Sequence, residues 1–171
     1  MRVLLPLVVA LGAVPAVAGA PQFVTRAEAS MVFAKMATMV KQASNVQGAV
    51  AFDRVKEPKK PITRSEVVHA YYLLYMKAKP GFRLTPVMTK FDPKLISGLD
   101  EAVKGEAKIL AQWGFIGPVG PLVTDMKPQV SVQVFGDSVG LFLSRLADLT
   151  HTPSSKYSPN LMIDPPPKRK N

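Results

Sequence analysis

The chain has 171 residues and no cysteine, and its 22 Lys and Arg residues against 12 Asp and Glu residues give it a net charge of +10. The length excludes two large domains, and the lack of cysteine excludes disulfides and thiolate metal sites. The basic balance indicates an anionic partner.

The first 18 residues have the pattern of a cleavable secretory signal peptide. Arg2 precedes an apolar stretch over residues 3–17, and Ala16-Val17-Ala18 supplies a small-x-small cleavage site. The stretch is shorter than the roughly 20 apolar residues of a membrane-spanning helix. We therefore expect export, and the lack of cysteine favours a bacterial cell envelope, in the periplasm, the cell wall or the cell surface. Without Arg2, 21 basic and 12 acidic residues remain, a net charge of +9.

Two copies of one helical unit follow at an offset of 38 residues. Val24-Thr25-Arg26-Ala27-Glu28 matches Ile62-Thr63-Arg64-Ser65-Glu66, and apolar residues recur after each at the spacing of one helix face. The Thr and Glu of each copy can exchange hydrogen bonds with each other's backbone N–H. The predicted helix-capping residues are Thr25, Glu28, Thr63 and Glu66.

The predicted core positions of the two helices share this spacing. They are Ala29, Val32, Phe33, Met36, Ala37 and Val40 in the first, and Val67, Ala70, Tyr71, Leu74, Tyr75 and Ala78 in the second. The segment Phe82 to Asp92 alternates apolar and polar residues around a proline, and either a short strand or an ordered loop fits it.

A further helix is predicted over residues 97–113, with Leu99, Val103, Leu110 and Trp113 on one face. Gly114 is its predicted left-handed cap, Phe115 and Ile116 can fold back over its last turn, and Pro118 prevents continuation.

A third, degenerate copy of the unit begins at Val130-Ser131, at an offset of 106 residues from the first. Ser131 keeps the cap, but Val132 and Val134 replace the Arg and the Glu, so only half of the capping box is predicted. Its predicted core positions are Phe135, Ser138, Val139, Phe142, Leu143 and Leu146. Residues 152–171 hold five prolines before Lys168, Arg169 and Lys170, and are predicted to be a flexible basic tail.

These residues resemble the S-layer homology (SLH) domain family of bacterial envelope proteins. The matching features are the two Thr-Arg-x-Glu signatures, a Phe91-Asp92 start, a helix ending in Trp113-Gly114-Phe115-Ile116, then Pro128 and the Val130 helix. The departures are the short spacing between the first two signatures and the lost Arg and Glu of the third. We expect a mainly α domain over residues 19–151, a small bundle of about four main helices, with short strands at most in its loops.

The resemblance implies non-covalent binding of an acidic cell-wall or envelope polysaccharide, with Arg26 and Arg64 as the ligand-binding residues. A first-turn Arg near free backbone N–H groups can fork onto a carboxylate; the structural alternative is a solvated or ion-paired side chain. The rival function is a protein–protein interaction module of the envelope that binds no glycan. Peripheral contact with anionic lipid through Lys168, Arg169 and Lys170 is a further expected interaction.

No pattern in the sequence indicates an enzyme. The two histidines, His69 and His151, lack metal-ligand spacing, and no nucleophile motif or Gly-rich phosphate loop occurs. We therefore expect no cofactor and no metal. Since no basic-aromatic motif of an RNA- or DNA-binding module occurs either, we expect no nucleic-acid partner.

Overall fold

The computed structural model describes residues 22–86 and 88–151, and the predicted signal peptide and basic tail lie outside them. The protein is mainly helical, which confirms the predicted fold class. The helices are α1 (Arg26–Ser44), α2 (Arg64–Ala78), α3 (Glu101–Trp113), α4 (Pro121–Thr124) and α5 (Val132–Thr150), with 3-10 turns at Lys79–Gly81 and Pro93–Leu95. The described residues contain isolated β-bridges but no β-strand.

The starts of the three repeats form a closed ring of backbone hydrogen bonds. The N–H of Val24 donates to the carbonyl of Val130 at 3.1 Å, that of Val130 to Ile62 at 3.2 Å, and that of Ile62 to Val24 at 2.8 Å. All three side chains are buried. These residues hold the same position in the three copies, so the three repeat starts are bonded to one another in cyclic order.

A second set of hydrogen bonds reinforces the ring two residues further along each repeat. The N–H groups of Arg26, Arg64 and Val132 donate to the carbonyls of Lys60, Pro128 and Gln22, at 2.9, 2.7 and 2.9 Å respectively. The backbone donors at the starts of α1, α2 and α5 are thus used between repeats. We call this side of the molecule the ring end.

The C-termini of the long helices meet at the opposite side, the far end. Arg83 and Leu84 donate from their backbone N–H groups to the carbonyl of Leu149 in α5, and Thr89 donates to Gln112 in α3. Gly81 lies so close to the end of α1 that a Cβ there would come within 2.1 Å of the Ser44 carbonyl oxygen. The connection from α2 to α3 therefore crosses all of these helix ends.

The core runs continuously through the interfaces of α1, α2, α3 and α5. All six predicted core residues of α2 are buried, whereas Val32 and Ala37 in α1 and Val139 and Leu143 in α5 are half-buried against the core. The Tyr71 hydroxyl lies 2.8 Å from Ser138 Oγ, and burial raises the pKa of this phenol. The repeat pattern thus predicted the packed faces correctly.

In the structure one local expectation is wrong, one open alternative is decided and one element is new. Helix α3 begins at Glu101 rather than at residue 97, because Ser97 is bonded to the carbonyls of Val123 and Thr124 through its N–H and hydroxyl. The described part of Phe82–Asp92 is a loop rather than a strand. The short helix α4 follows the Pro-rich turn and was not predicted. Gly114 is the left-handed cap of α3, at φ +77°, as predicted.

Candidate functional site

Both predicted capping boxes are present. In α1 the N–H of Glu28 donates to Thr25 Oγ1 at 3.3 Å, and the N–H of Thr25 donates to Glu28 Oε2 at 2.9 Å. In α2 the corresponding distances between Thr63 and Glu66 are 3.2 and 2.8 Å. Hydrogen bonds from the Thr25 backbone and hydroxyl lower the pKa of Glu28. In α5, Ser131 Oγ accepts from the Val134 N–H alone, as expected.

An open groove of about 560 Å³ lies between α1, α2 and the segment that joins them. We call it the α1–α2 groove. Its apolar floor includes Phe33, Phe52 and Ile62, and its rim carries both basic and acidic side chains. The rim residues with charged or titratable groups are Arg26, Asp53, Arg54, Lys56, Glu57, Glu66 and His69.

Arg26 lines this groove and is held there by two carboxylates. Its Nη1 lies 3.2 Å from Glu57 Oε2, and its Nε lies 2.7 Å from Glu66 Oε1. The Nε–H is not aimed at that oxygen, so the second contact is an ion pair without a hydrogen bond. Nη1 also donates to the carbonyl of Lys56 at 3.4 Å. Arg26 therefore ties the start of α1 to α2 and to the joining segment.

Arg54 and Lys56 are the other basic residues of the rim. Both are exposed, and neither side chain has an ion-pair partner among the described residues. They stand on the joining segment, which has no regular secondary structure between the C-cap of α1 and the bridge at Pro61. Their charges are thus free to meet an anion in the groove, whereas the charge of Arg26 is already balanced.

His69 lies on the rim and is paired with a neighbouring helix. Its Nδ1 is 3.0 Å from both carboxylate oxygens of Glu106 in α3, and 38% of its side chain is exposed. His69 is therefore a partly exposed side chain that joins α2 to α3. His151, the second histidine, caps the C-terminus of α5 at the far end, away from His69.

Arg64 is the predicted ligand-binding residue that the structure places elsewhere. It is only 1% exposed. Its Nε donates to the carbonyl of Lys127 at 2.8 Å, its Nη1 to those of Leu122 and Pro121 at 3.2 and 3.4 Å, and its Nη2 to Ser97 at 3.0 Å. Burial lowers the pKa of this guanidinium, and Asp125 offsets part of the effect. Arg64 binds its own chain, which corrects the expectation that it contacts a ligand.

The second groove, beside Arg64, has the same construction as the first but is largely filled. Arg64, Val130 and Val134 line it at the repeat positions that Arg26, Ile62 and Glu66 hold in the first. Its volume is about 160 Å³. The segments that supply the carbonyl partners of Arg64 occupy the remaining space. In the third copy Val132, 49% exposed, replaces the Arg altogether.

The described residues hold no group of three or more His, Cys, Asp or Glu side chains placed to bind a metal ion. Within the same residues, none of the helices has both the length and the apolar character needed to cross a membrane.

Comparisons with family models, with curated proteins and with solved structures find no match. The similarity to the SLH family therefore remains a resemblance carried by the residues quoted above.

Arg54 and Lys56, which line the groove, were not predicted from the sequence. They lie between the first two repeats, where no periodicity marks a helix or strand. The signal that could have found them is the density of charge there, since six of the eight residues 53–60 are Asp, Glu, Lys or Arg.

Proposed function

We propose that this protein is an exported envelope protein that binds an acidic envelope polysaccharide non-covalently in the α1–α2 groove. The observation that carries the proposal is the groove itself: it is open, it has an apolar floor, and two of its rim cations have no carboxylate partner among the described residues. Arg26, at the repeat position that the resemblance assigns to ligand binding, is the third cation.

The chemistry of the groove suits a sugar chain that carries carboxylates. Ammonium and guanidinium groups form charge-assisted hydrogen bonds with carboxylates, and the exposed Arg54 and Lys56 can make them without breaking an existing ion pair. A ligand site usually combines an apolar lining with a few oriented polar groups. Phe33 and Phe52, whose rings lie 6.0 Å apart, provide such a lining for the less polar face of a sugar ring.

The test is the affinity of the purified mature protein for isolated envelope polysaccharide, measured by calorimetry. We expect Arg54→Ala/Lys56→Ala to weaken binding about a hundredfold or more, since each of the two charge-assisted hydrogen bonds contributes roughly 1.5–3 kcal/mol. The wild type should lose affinity to the same extent when the carboxylates of the polysaccharide are reduced to alcohols.

The matched control is Lys59→Ala/Lys127→Ala, which removes two exposed basic side chains that do not line the groove. This variant should bind like the wild type. If both double variants bind equally well, or if the wild type does not bind, the groove is not the site.

The rival proposal, a protein–protein interaction module without glycan binding, is favoured by one observation. Val119 and Met126, on the segment around α4, are 69% and 74% exposed. The test is cross-linking of the wild type to an envelope protein. Loss of the cross-link in Val119→Ser/Met126→Ser, together with normal cross-linking of Arg54→Ala/Lys56→Ala, would favour this rival. Envelope association lost on deletion of residues 152–171 would instead point to the tail.

A further inference from the structure

The charges of the molecule are sorted between its two ends. The far end comprises the last turns of α1, α2, α3 and α5 and the first part of the connection from α2 to α3, that is, residues 41–48, 77–86, 88–90, 108–116 and 145–151. Only one carboxylate, Asp148, belongs to it. Its basic side chains are Lys41, Lys77, Lys79, Arg83, Lys90, Lys108 and Arg145.

The ring end has a balanced charge by comparison. In residues 22–28, 53–66, 97–104 and 120–134, eight basic side chains stand against seven acidic ones. The basic ones are Arg26, Arg54, Lys56, Lys59, Lys60, Arg64, Lys104 and Lys127, and the acidic ones are Glu28, Asp53, Glu57, Glu66, Asp100, Glu101 and Asp125. The excess positive charge of the folded domain is therefore concentrated at the far end.

Helix dipoles account for only part of this sorting. A cation in the last turn of a helix is stabilised by the partial negative charge there, which suits Lys41 and Lys77. Arg83 and Lys90 lie outside the helices, on the connection that crosses the far end, and both are exposed. Their charges add to the surface potential without capping a helix.

Exposed apolar side chains accompany these cations. Leu84 is 44% exposed and Met88 47% exposed, and they follow Arg83 and precede Lys90 on the same connection. Hydrogen bonds from the backbone of Leu84 to α5 and of Thr89 to α3 hold this connection across the helix ends. A soluble polyanion would engage the cations alone, whereas a lipid surface engages cations through its headgroups and apolar side chains through its acyl boundary.

We propose that the far end docks on the surface of an anionic lipid bilayer. Arg83 and Lys90 contact headgroup phosphates, and Leu84 and Met88 enter the boundary between headgroups and acyl chains. The α1–α2 groove opens nearer the ring end, so lipid contact leaves it free. His151, the last of the described residues, lies at the same end.

The experiment is sedimentation of the mature chain, including residues 152–171, with vesicles of phosphatidylglycerol and phosphatidylcholine, and with phosphatidylcholine alone. The wild type should bind the anionic vesicles only, and less as salt is raised. Because each Lys or Arg near an anionic surface contributes about 1 kcal/mol, Arg83→Glu/Lys90→Glu should weaken partitioning by at least about 25-fold.

Two matched controls distinguish binding by this surface from the effect of net charge and from non-specific hydrophobic adsorption. Lys59→Glu/Lys127→Glu makes the same change of charge at the ring end and should bind vesicles like the wild type. Leu84→Ser/Met88→Ser should bind several-fold more weakly, whereas Val119→Ser/Met126→Ser, which removes exposed apolar side chains around α4, should not. Equal losses in the two charge variants would overturn the proposal, because net charge alone would then explain binding.

The single tryptophan provides a readout specific to lipid. Trp113 ends α3 at the far end, half-buried, with Lys79 Nζ 5.9 Å from its ring centroid. Phospholipids brominated on their acyl chains should quench its fluorescence on binding, whereas dextran sulfate should not. Binding without quenching, or binding retained in Arg83→Glu/Lys90→Glu and lost in Lys168→Glu/Arg169→Glu/Lys170→Glu, would overturn docking by the far end.

Discussion

Arg26 and Arg64 hold the same position in two copies of one unit, and their surroundings give them different roles. Arg26 is flanked by Glu57 and Glu66 on an open groove. Arg64 is enclosed by the chain around Ser97 and Lys127, so that carbonyl oxygens rather than carboxylates surround its guanidinium. Carbonyls satisfy its donors without neutralising its charge, and the five N–H groups of an arginine suit several such acceptors at once.

We predict that Arg64→Ala strongly destabilises the fold. The substitution removes the donors of four backbone carbonyls from a buried site, and each unsatisfied buried group costs about 1–3 kcal/mol. A loss of about 3 kcal/mol or more in the free energy of unfolding is expected in urea denaturation. Arg26→Ala, whose ion pairs are partly exposed, should lose about 1 kcal/mol or less.

Gly98→Ala tests the same cluster without replacing the arginine. Gly98 has φ +59°, and a Cβ there would lie 2.3 Å from Arg64 Nη2. Gly98→Ala should therefore also lower the free energy of unfolding. Gly105→Ala, on an exposed face of α3 with open space around the added Cβ, should not. If Arg64→Ala proves as stable as Arg26→Ala, the buried cluster does not hold the loops together. A binding test that combines Arg26→Ala with Arg64→Ala would confuse unfolding with loss of the site.

At the scale of the elements, the three repeat helices begin with caps of different completeness. Thr25/Glu28 and Thr63/Glu66 each exchange bonds in both directions, whereas Ser131 accepts one bond and nothing returns from Val134. In α5 no side chain among the described residues accepts a hydrogen bond from the Ser131 N–H, so the cap of α5 is the least complete of the three.

We predict that Thr63→Ala costs about 1 kcal/mol of stability, since it removes the side chain of a complete N-cap. Thr63→Ser keeps the hydroxyl and should cost much less. Ser131→Ala should fall between them, because only the bond from the Val134 N–H is lost. Thermal unfolding by circular dichroism gives the three values; a neutral Thr63→Ala would mean that packing alone sets the start of α2.

Some elements could be predicted from the sequence and others could not. The difference is the separation along the chain between the residues that interact. The capping boxes and the apolar faces depend on residues three or four apart, so they could be read directly. The start of α3 could not, because Ser97 is bonded to the carbonyls of Val123 and Thr124 more than twenty residues away. The four residues of α4 are too few to give a periodic pattern.

The candidate site was predicted only in part for the same reason. Arg26 is placed by its own helix, and its position beside a groove follows from the repeat. The burial of Arg64 depends on two segments that reach it from elsewhere in the fold, and no local signal distinguishes it from Arg26. Arg54 and Lys56 belong to a segment positioned by tertiary contacts such as the Arg26–Glu57 ion pair.

At the scale of the whole molecule, the ring joins the first, second and third repeats into one closed set. Each repeat start both donates to one neighbour and accepts from the other. The core is likewise continuous from Phe33 in α1 through Tyr71 in α2 to Phe142 in α5, with ring centroids 5.9 and 5.0 Å apart. No repeat has a separate core of its own.

We therefore predict a single cooperative unfolding transition. Far-ultraviolet circular dichroism follows all the helices, and fluorescence follows Trp113 at the far end, so coincident midpoints in urea would confirm two-state behaviour. Val24→Pro removes the N–H that donates to Val130, so it should lower both midpoints together. Separate transitions would show that the repeats fold independently.

The closed ring also bears on how this chain matures in the cell. The partner of the Val24 N–H, Val130, lies more than one hundred residues later, so the first repeat stays incomplete until the third has been synthesised. Contacts over such separations form slowly, because a long loop must close before they can stabilise anything. Late closure of the ring suits the export proposed above, because a narrow translocation channel admits an unfolded polypeptide.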